Sequence, residues 1–233
     1  MTNHLRHSIK FSITAGNMNE KIAILNDLGD PTELDIDDTS KWPDYLEYGF
    51  TALDVPDLIA IITDEDLYEE PKDKHGMWLH LHAWRTLGQL KAVDAIDSLI
   101  SVFEFFSLVE DNTAFKELPE VIGMIGKPAI EAVGNYLCDA SNSSHSRLIA
   151  NDALANIAKT YPDCRDSVLE KYKTYLSAPD CFAQRLNGFL IQQLIDLKAV
   201  ELVDSIRSLY KQGCVDLSVA GELEDLEATF ESK

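Results

Sequence analysis

Two stretches of this sequence decide its fold: GQLKAVDAIDSL at residues 88–99 and IDLKAVELVDSI at residues 195–206. Both contain the tetrapeptide LKAV, and apolar residues recur in both at intervals of three and four. That interval is the period of a helix that buries one face. The chain therefore repeats a helical unit, and its other copies should lie between these two.

Two weaker copies lie between these stretches, VIGMIGKPAIEAV at residues 121–133 and ALANIA at residues 153–158. Four equivalent apolar positions are separated by steps of 35, 32 and 40 residues: Leu87, Ile122, Leu154 and Leu194. Such steps are typical of a repeated helix pair, and several pairs must stack to share one core. We predict an all-α, right-handed α-solenoid of about five helix pairs.

Composition divides the chain into two parts. Residues 1–43 are predicted to form an irregular, acidic amino-terminal segment, and residues 44–233 the solenoid, with the clearest repeats at 77–212. Pro119 and Pro128 stand where the two helices of the second pair are expected to begin, because proline is tolerated in the first turn of a helix.

The chain is strongly acidic. Its 233 residues include 20 Lys and Arg against 40 Asp and Glu, a formal charge of −20 at pH 7. A surface of this charge repels phosphate backbones, so we expect no nucleic-acid partner. No apolar run approaches the ~18 residues of a spanning helix, so we expect no membrane association.

The first residues differ from the rest in charge. Arg6 and Lys10 are present, and the first acidic residue is Glu20. Apolar and polar residues alternate over 9–13, which predicts either a short strand or a flexible arm. The apolar core of a secretory signal is lacking.

Four cysteines are widely separated and form no C-x-x-C pair: Cys138, Cys164, Cys181 and Cys214. A zinc site made of cysteines is therefore unsupported. We expect unpaired cysteines that act as small buried hydrophobes in a reducing cytoplasm.

Several motifs resemble those of HEAT-like repeat proteins. AWRTLGQL at 83–90 and NDALANIA at 151–158 resemble the short repeats of bacterial phycobilin-lyase-type HEAT proteins. The order of YGFT (48–51), HAWRTL (82–87), LPE (118–120) and LKAVE (197–201) is similar to that of an uncharacterised bacterial HEAT-like family. The resemblance implies a helical scaffold that binds a protein or handles a bilin, and it transfers no catalytic residue.

The repeat places one acidic residue at equivalent positions of three second helices: Asp97, Glu131 and Asp204. In HEAT-like solenoids the second helices line the concave face, so the resemblance implies an acidic ridge there. Such a ridge suits an unknown, basic protein partner. The alternative is an ordinary solvated surface. The equivalent positions of the first helices look like ordinary surface: Arg85, Glu120, Asp152 and Gln192.

His80 and His82, with His75 nearby, are the candidates for a ligand or metal site, because imidazole binds transition metals well. Two residues apart on a helix, His80 and His82 cannot share one face. Surface or helix-capping roles are therefore favoured, and no metal or cofactor is predicted.

Two functions remain open. The first is a non-enzymatic protein-interaction scaffold or adaptor that uses the concave face. The alternative is a small-molecule or bilin-handling protein, similar to a lyase or chaperone, with His80, His82 or a cysteine in a pocket. No residue is assigned a catalytic role.

Overall fold

The computed structural model describes residues 20–31, 38–69 and 78–231. Over these residues the regular secondary structure is helical throughout, which confirms the predicted all-α class. The α-helices are α1 Glu20–Asp27, α2 Val55–Ile62, α3 Glu65–Glu69, α4 Leu79–Gln89, α5 Ile96–Ser101, α6 Phe103–Leu108, α7 Asn112–Ile125, α8 Ile130–Cys138, α9 Ser144–Thr160, α10 Arg165–Ser177, α11 Gln184–Asp196, α12 Val203–Lys211, α13 Leu217–Ala220 and α14 Leu223–Glu231. Within the same ranges, none of the helices has the length and apolar composition needed to cross a membrane.

Four helix pairs share the same connection: α4 with α5, α7 with α8, α9 with α10, and α11 with α12. In each pair, one 3-10 turn leads into the second helix: Val93–Ala95, Lys127–Ala129, Pro162–Cys164 and Val200–Leu202. These turns begin 34, 35 and 38 residues apart. Residues 1–43 were predicted to be irregular, but they contain the regular helix α1.

The pairs form two layers. In one layer α4 packs against α7, α7 against α9, and α9 against α11. In the other layer α5 packs against α8, α8 against α10, and α10 against α12. α2 contacts both α4 and α5 at one end, and α14 contacts both α11 and α12 at the other. The buried apolar side chains therefore form one cluster that runs through all four pairs.

The start of α7 differs from the prediction. α7 begins at Asn112, because the Asp111 carboxylate accepts hydrogen bonds from the backbone N–H groups of Thr113 (2.8 Å) and Ala114 (3.0 Å). Pro119 therefore lies inside the helix, and the prediction that a helix begins there is wrong. Pro128 does lie in the turn that leads into α8, as predicted.

A buried ion pair joins the first two pairs. The Arg85 guanidinium on α4 and the Glu117 carboxylate on α7 are 1 % and 0 % exposed. Arg85 Nε donates to Glu117 Oε2 at 2.8 Å, and Arg85 Nη2 donates to Oε1. Trp84 Nε1 donates to Oε2 as well, at 2.7 Å. Burial alone lowers the pKa of Arg85, but the Glu117 carboxylate outweighs burial and raises it. The prediction that Arg85 lies on an ordinary surface is wrong.

Two side chains, each the fourth residue of a first helix, hold loops between the pairs. Arg147 Nε donates to the Leu137 carbonyl at 2.8 Å, and Asn187 Nδ2 donates to the Asp180 carbonyl at 3.0 Å. Both side chains are buried at the start of a first helix. Buried carbonyls need such donors, so these bonds fix where each pair begins.

The prediction that all four cysteines are unpaired is wrong, because two of them form a disulfide. Cys181 and Cys214 form a disulfide across a sequence separation of 33 residues, whereas Cys138 and Cys164 are free. Disulfides persist mainly in oxidising compartments. The cysteines therefore no longer support the expected reducing cytoplasm.

We predict that Glu117→Leu lowers the free energy of unfolding by about 3–5 kcal/mol, because Arg85 then stays buried without its counter-charge. Arg85→Met combined with Glu117→Leu should recover most of that loss. Urea denaturation followed by circular dichroism measures both. A single variant as stable as the double variant would show that the buried charge does not matter.

We also predict that reduction of the Cys181–Cys214 disulfide destabilises the chain by about 2–4 kcal/mol, because it removes a cross-link from the unfolded state. The measurement is thermal unfolding with and without a phosphine reductant. The control is Cys181→Ser with Cys214→Ala, which should not respond to the reductant. Equal melting temperatures for the oxidised and reduced wild type would contradict the prediction.

Candidate functional site

An open groove of about 510 Å³ lies between α5 and α8. Its lining residues come from the two helices and from the 3-10 turns before them: Val93, Asp94, Ile96, Asp97, Pro128, Glu131, Ala132 and Asn135. A shallower depression shares part of this lining and continues along the same helices to Ile100, Tyr136, Asp139 and Asn142. Together the two form one continuous surface, which we call the acidic groove.

Charge in the acidic groove has a single sign. Its lining includes the carboxylates of Asp94, Asp97, Glu131 and Asp139, and among these lining residues there is no Lys or Arg. Val93, beside Asp94, leaves 51 % of its surface exposed. The groove thus offers negative charge next to an apolar contact, which suits a segment that carries both cationic and apolar side chains.

The four carboxylates differ in whether they already have a hydrogen-bond or ion-pair partner among the described residues. Among the described residues, none forms a hydrogen bond or ion pair with the side chain of Asp94 or Asp97. Glu131 is paired with the Lys171 ammonium of α10, which lowers the pKa of Glu131. Asp139 accepts a hydrogen bond from the Ser141 backbone N–H at 2.9 Å, and the bonds from Ser141 lower its pKa. The carboxylates of Asp94 and Asp97, which have no partner among the described residues, are therefore the ones that can bind a new cation.

In the same layer, the space between α8 and α10 is filled by the side chain of Lys171. A Cβ atom on Gly134 of α8 would lie only 2.5 Å from Lys171 Cδ, so the aliphatic stem of Lys171 rests on the backbone of α8. From there its ammonium reaches Glu131. Lys171 thus closes the α8–α10 side, and the open space lies on the α5 side of α8.

The structure brings together two of the three acidic residues predicted to form the ridge. Asp97 and Glu131 line the same groove. Asp204 lies on α12, which packs against α10 rather than α5 or α8. Its carboxylate pairs with Arg207 Nη1 at 2.7 Å, and its side chain is 94 % exposed. Asp204 is therefore equivalent to Asp97 in sequence but lies outside the groove.

Three residues of the groove were not predicted from the sequence: Val93, Asp94 and Asp139. Asp94 directly follows the shared LKAV tetrapeptide, whose last residue is exposed in both copies: Val93 at 51 % and Val200 at 59 %. The spacing of apolar residues predicts which face of each helix is buried. It does not predict that Val93 and Val200, in the turns before the second helices, are exposed.

His80 and His82 lie in the interior, so the expectation of surface or capping histidines is wrong. Each is 1 % exposed. His82 Nε2 lies 2.9 Å from the Gly29 carbonyl, which can only accept, so Nε2 carries the proton and Nδ1 accepts from the Tyr45 hydroxyl at 2.7 Å. His80 Nε2 likewise donates to the Asp64 carbonyl at 3.1 Å. Both rings therefore hold loops to α4.

Among the described residues, His80 and His82 belong to no metal-binding cluster. Throughout the described ranges, no three His, Cys, Asp or Glu side chains are grouped so that they could hold an ion. His75 lies outside those ranges. Burial lowers the pKa of both interior histidines, for His82 to about 4. We interpret both as neutral structural residues.

We predict that His82 makes stability depend on pH between about 6.5 and 4. In this window the unfolded chain binds a proton at His82 and the folded chain does not, so stability falls as the pH falls. The loss amounts to about 3 kcal/mol. His82→Gln keeps a donor and an acceptor but does not titrate, so its stability should fall by that much less from pH 7 to pH 4. Urea titrations of both proteins measure the difference, and parallel pH profiles would contradict the prediction.

Comparison with known proteins gives one match. No curated protein and no solved structure is significantly similar to this chain. A family model described as "Protein of unknown function (DUF1186)" matches residues 51–233. The match spans α2 to α14 and both walls of the acidic groove. Because it covers well over half of the sequence, the chain belongs to the DUF1186 family.

Proposed function

We propose that this chain is a non-enzymatic scaffold that binds a basic segment of a partner protein in the acidic groove. The observation that carries the proposal is a pair of solvent-exposed carboxylates with no partner among the described residues, Asp94 and Asp97, beside exposed Val93. A cation of the partner would lie between the carboxylates, and an apolar side chain of the partner would cover Val93. The partner's remaining groups would follow the groove towards Asp139.

The proposal extends to the overall shape. We infer that the stacked pairs form a right-handed, HEAT-like solenoid with the second helices on the concave face. The support is that α5, α8, α10 and α12 pack in chain order in one layer, separate from the layer of α4, α7, α9 and α11. A groove between two second helices would then open onto the concave surface, where an extended segment can lie across several pairs.

The expected interaction energies limit how much the groove can contribute to binding affinity. An exposed ion pair is worth about 0–1 kcal/mol, so two such pairs with Asp94 and Asp97 give orientation and a fast encounter more than affinity. Contact with Val93 adds to this through burial of apolar surface. Because charges further apart than about 10 Å are screened at 0.1 M salt, binding should weaken as the salt concentration rises.

The small-molecule alternative has less support. In that alternative, His80, His82 or a cysteine would lie in a pocket. Both histidines are instead buried, and each donates to a backbone carbonyl. Two of the four cysteines are joined in a disulfide. No specific contact in the described part of the chain favours a bilin.

We predict that Asp97→Lys reduces partner capture by up to about tenfold, or about 1.4 kcal/mol, because the charge reversal removes one attraction of about 0–1 kcal/mol and adds a repulsion. The full-length, affinity-tagged chain is purified from its native cells, and the bound proteins are quantified by mass spectrometry. The matched control is Asp204→Lys. It makes the same change of charge at the equivalent, second residue of α12, outside the groove.

A partner retained by Asp204→Lys and lost by Asp97→Lys supports the groove. Ala132→Trp, which fills the groove without a change of charge, should give the same loss. Equal losses for Asp97→Lys and Asp204→Lys would contradict the proposal and point to a general effect of net charge. A partner that tolerates Ala132→Trp would also contradict it.

A further inference from the structure

We propose that the Cys181–Cys214 disulfide is a redox-sensitive switch, and that its reduction by a dithiol lets the last helices, α12 to α14, open from the rest of the fold. The disulfide joins the connection before α11 to the link after α12, so it ties together the two ends of the last helix pair. The acidic groove lies between α5 and α8, and the inference does not depend on binding there.

The helices after α11 bury few side chains. α12 packs against α10 in its own layer, and α14 contacts another side of it. In α12 the buried residues are Ile206 and Leu209, and among the described side chains of α14 the buried one is Leu226. Segments with few buried apolar contacts open more readily than the core of a fold. A covalent tie at Cys214 therefore restrains a part of the chain that packing alone holds weakly.

Contacts between α12 and α14 make these helices one unit. Arg207 Nε of α12 donates to the Glu227 carboxylate of α14, and the Tyr210 hydroxyl donates to the Gly221 carbonyl at 3.1 Å. Residues 203–231 include seven acidic side chains against two basic ones, in a chain whose formal charge is −20. Repulsion between this unit and the rest of an acidic chain favours opening.

The two sides of the disulfide are held by different contacts. Cys181 follows Asp180, whose carboxylate pairs with the buried Arg147 guanidinium of α9 at 2.8 Å. On the other side, the Cys214 carbonyl accepts a hydrogen bond from Asn187 Nδ2 at 2.7 Å. An ion pair thus fixes the Cys181 loop to the middle of the fold, whereas hydrogen bonds hold the Cys214 link to α11. After reduction, the Cys214 side is the one that moves.

Exposure determines which sulfur a reductant reaches. Cys181 is partly exposed and Phe182 beside it is fully exposed, whereas Cys214 is completely buried. A thiolate of the dithiol attacks Cys181 Sγ, the S–S bond breaks, and Cys214 leaves as a thiolate that takes up a proton. The second thiol of the reductant then attacks the mixed disulfide and releases Cys181 as a thiol. The reductant loses two electrons and becomes a disulfide, and the protein gains two thiols.

The closed fold allows the reaction to reverse. Asn187 Nδ2 donates to the carbonyl of Asp180, next to Cys181, and to the carbonyl of Cys214. One side chain therefore keeps the two cysteines side by side whenever the unit is closed. An oxidised dithiol can then restore the disulfide by the same exchange in the opposite direction.

The first test is reduction of the folded, full-length chain by dithiothreitol at neutral pH, followed by alkylation and mass spectrometry. We expect the Cys181–Cys214 pair to be reduced without any denaturant, because Cys181 is accessible in the closed fold. Oxidised dithiothreitol should restore the disulfide. A pair that stays oxidised until urea is added would overturn the proposal.

The second test measures opening in Cys181→Ser, in which Cys214 cannot form its disulfide. Iodoacetamide is added to the native full-length variant, and mass spectrometry gives the alkylation rate of each thiol, corrected by its rate in urea. The internal reference is Cys164, a free and buried thiol in the turn before α10. We expect Cys214 to react at least about tenfold faster than Cys164, because opening of α12 to α14 is more frequent than opening of the whole fold. Equal corrected rates would overturn the proposal.

Hydrogen exchange of the wild type makes the same comparison without a substitution. We expect reduction by dithiothreitol to accelerate exchange in α12 at least about tenfold more than exchange in α9, which lies in the middle of the stack. Cys181→Ser with Cys214→Ala, a matched control, should show no response to the reductant. Unchanged exchange in α12, or equal acceleration in α12 and α9, would show that the disulfide does not control a local opening.

Discussion

The buried ion pair between Arg85 and Glu117 fixes the part of the molecule on which the proposed site depends. A charge buried without a partner costs several kcal/mol, so α4 cannot shift along α7 without separating the guanidinium from the carboxylate. Trp84 donates to the same carboxylate and restricts the position further. α5 and α8 each follow one of these helices after one 3-10 turn, so the ion pair joins the two helix pairs whose second helices form the walls of the acidic groove.

The groove exists because two neighbouring junctions of one layer are packed differently. Between α8 and α10, the absence of a side chain at Gly134 lets Lys171 lie on the backbone and neutralise Glu131. Between α5 and α8, the described lining contains no basic side chain, and Asp94 and Asp97 are exposed to solvent without a described partner. Exposed negative charge beside Val93 is complementary to a segment that is cationic and partly apolar. This difference between the two contacts supports a binding role for the space between α5 and α8.

Part of this structure could be predicted from the sequence. The LKAV repeat and its spacing predict helices, because the period of apolar residues reports which face is buried. The same rule fails for α4, where Leu79 to Gly88 are all buried because α1, α2 and α7 surround the helix. His80, His82 and Arg85 therefore looked like surface residues. The pairing of Cys181 with Cys214 and the shared groove of Asp97 and Glu131 depend on how pairs stack, and spacing along one helix does not contain that information.

Carboxylate footprinting measures whether a partner covers the acidic groove. Exposed carboxylates of the full-length chain are coupled to glycine ethyl ester in the presence and absence of the captured partner, and the extent of labelling is read by mass spectrometry. We expect the partner to protect Asp94 and Asp97, while labelling of Asp204, an exposed reference at the equivalent position of α12, stays unchanged. Protection of Asp204 with unchanged labelling of Asp94 and Asp97 would contradict it.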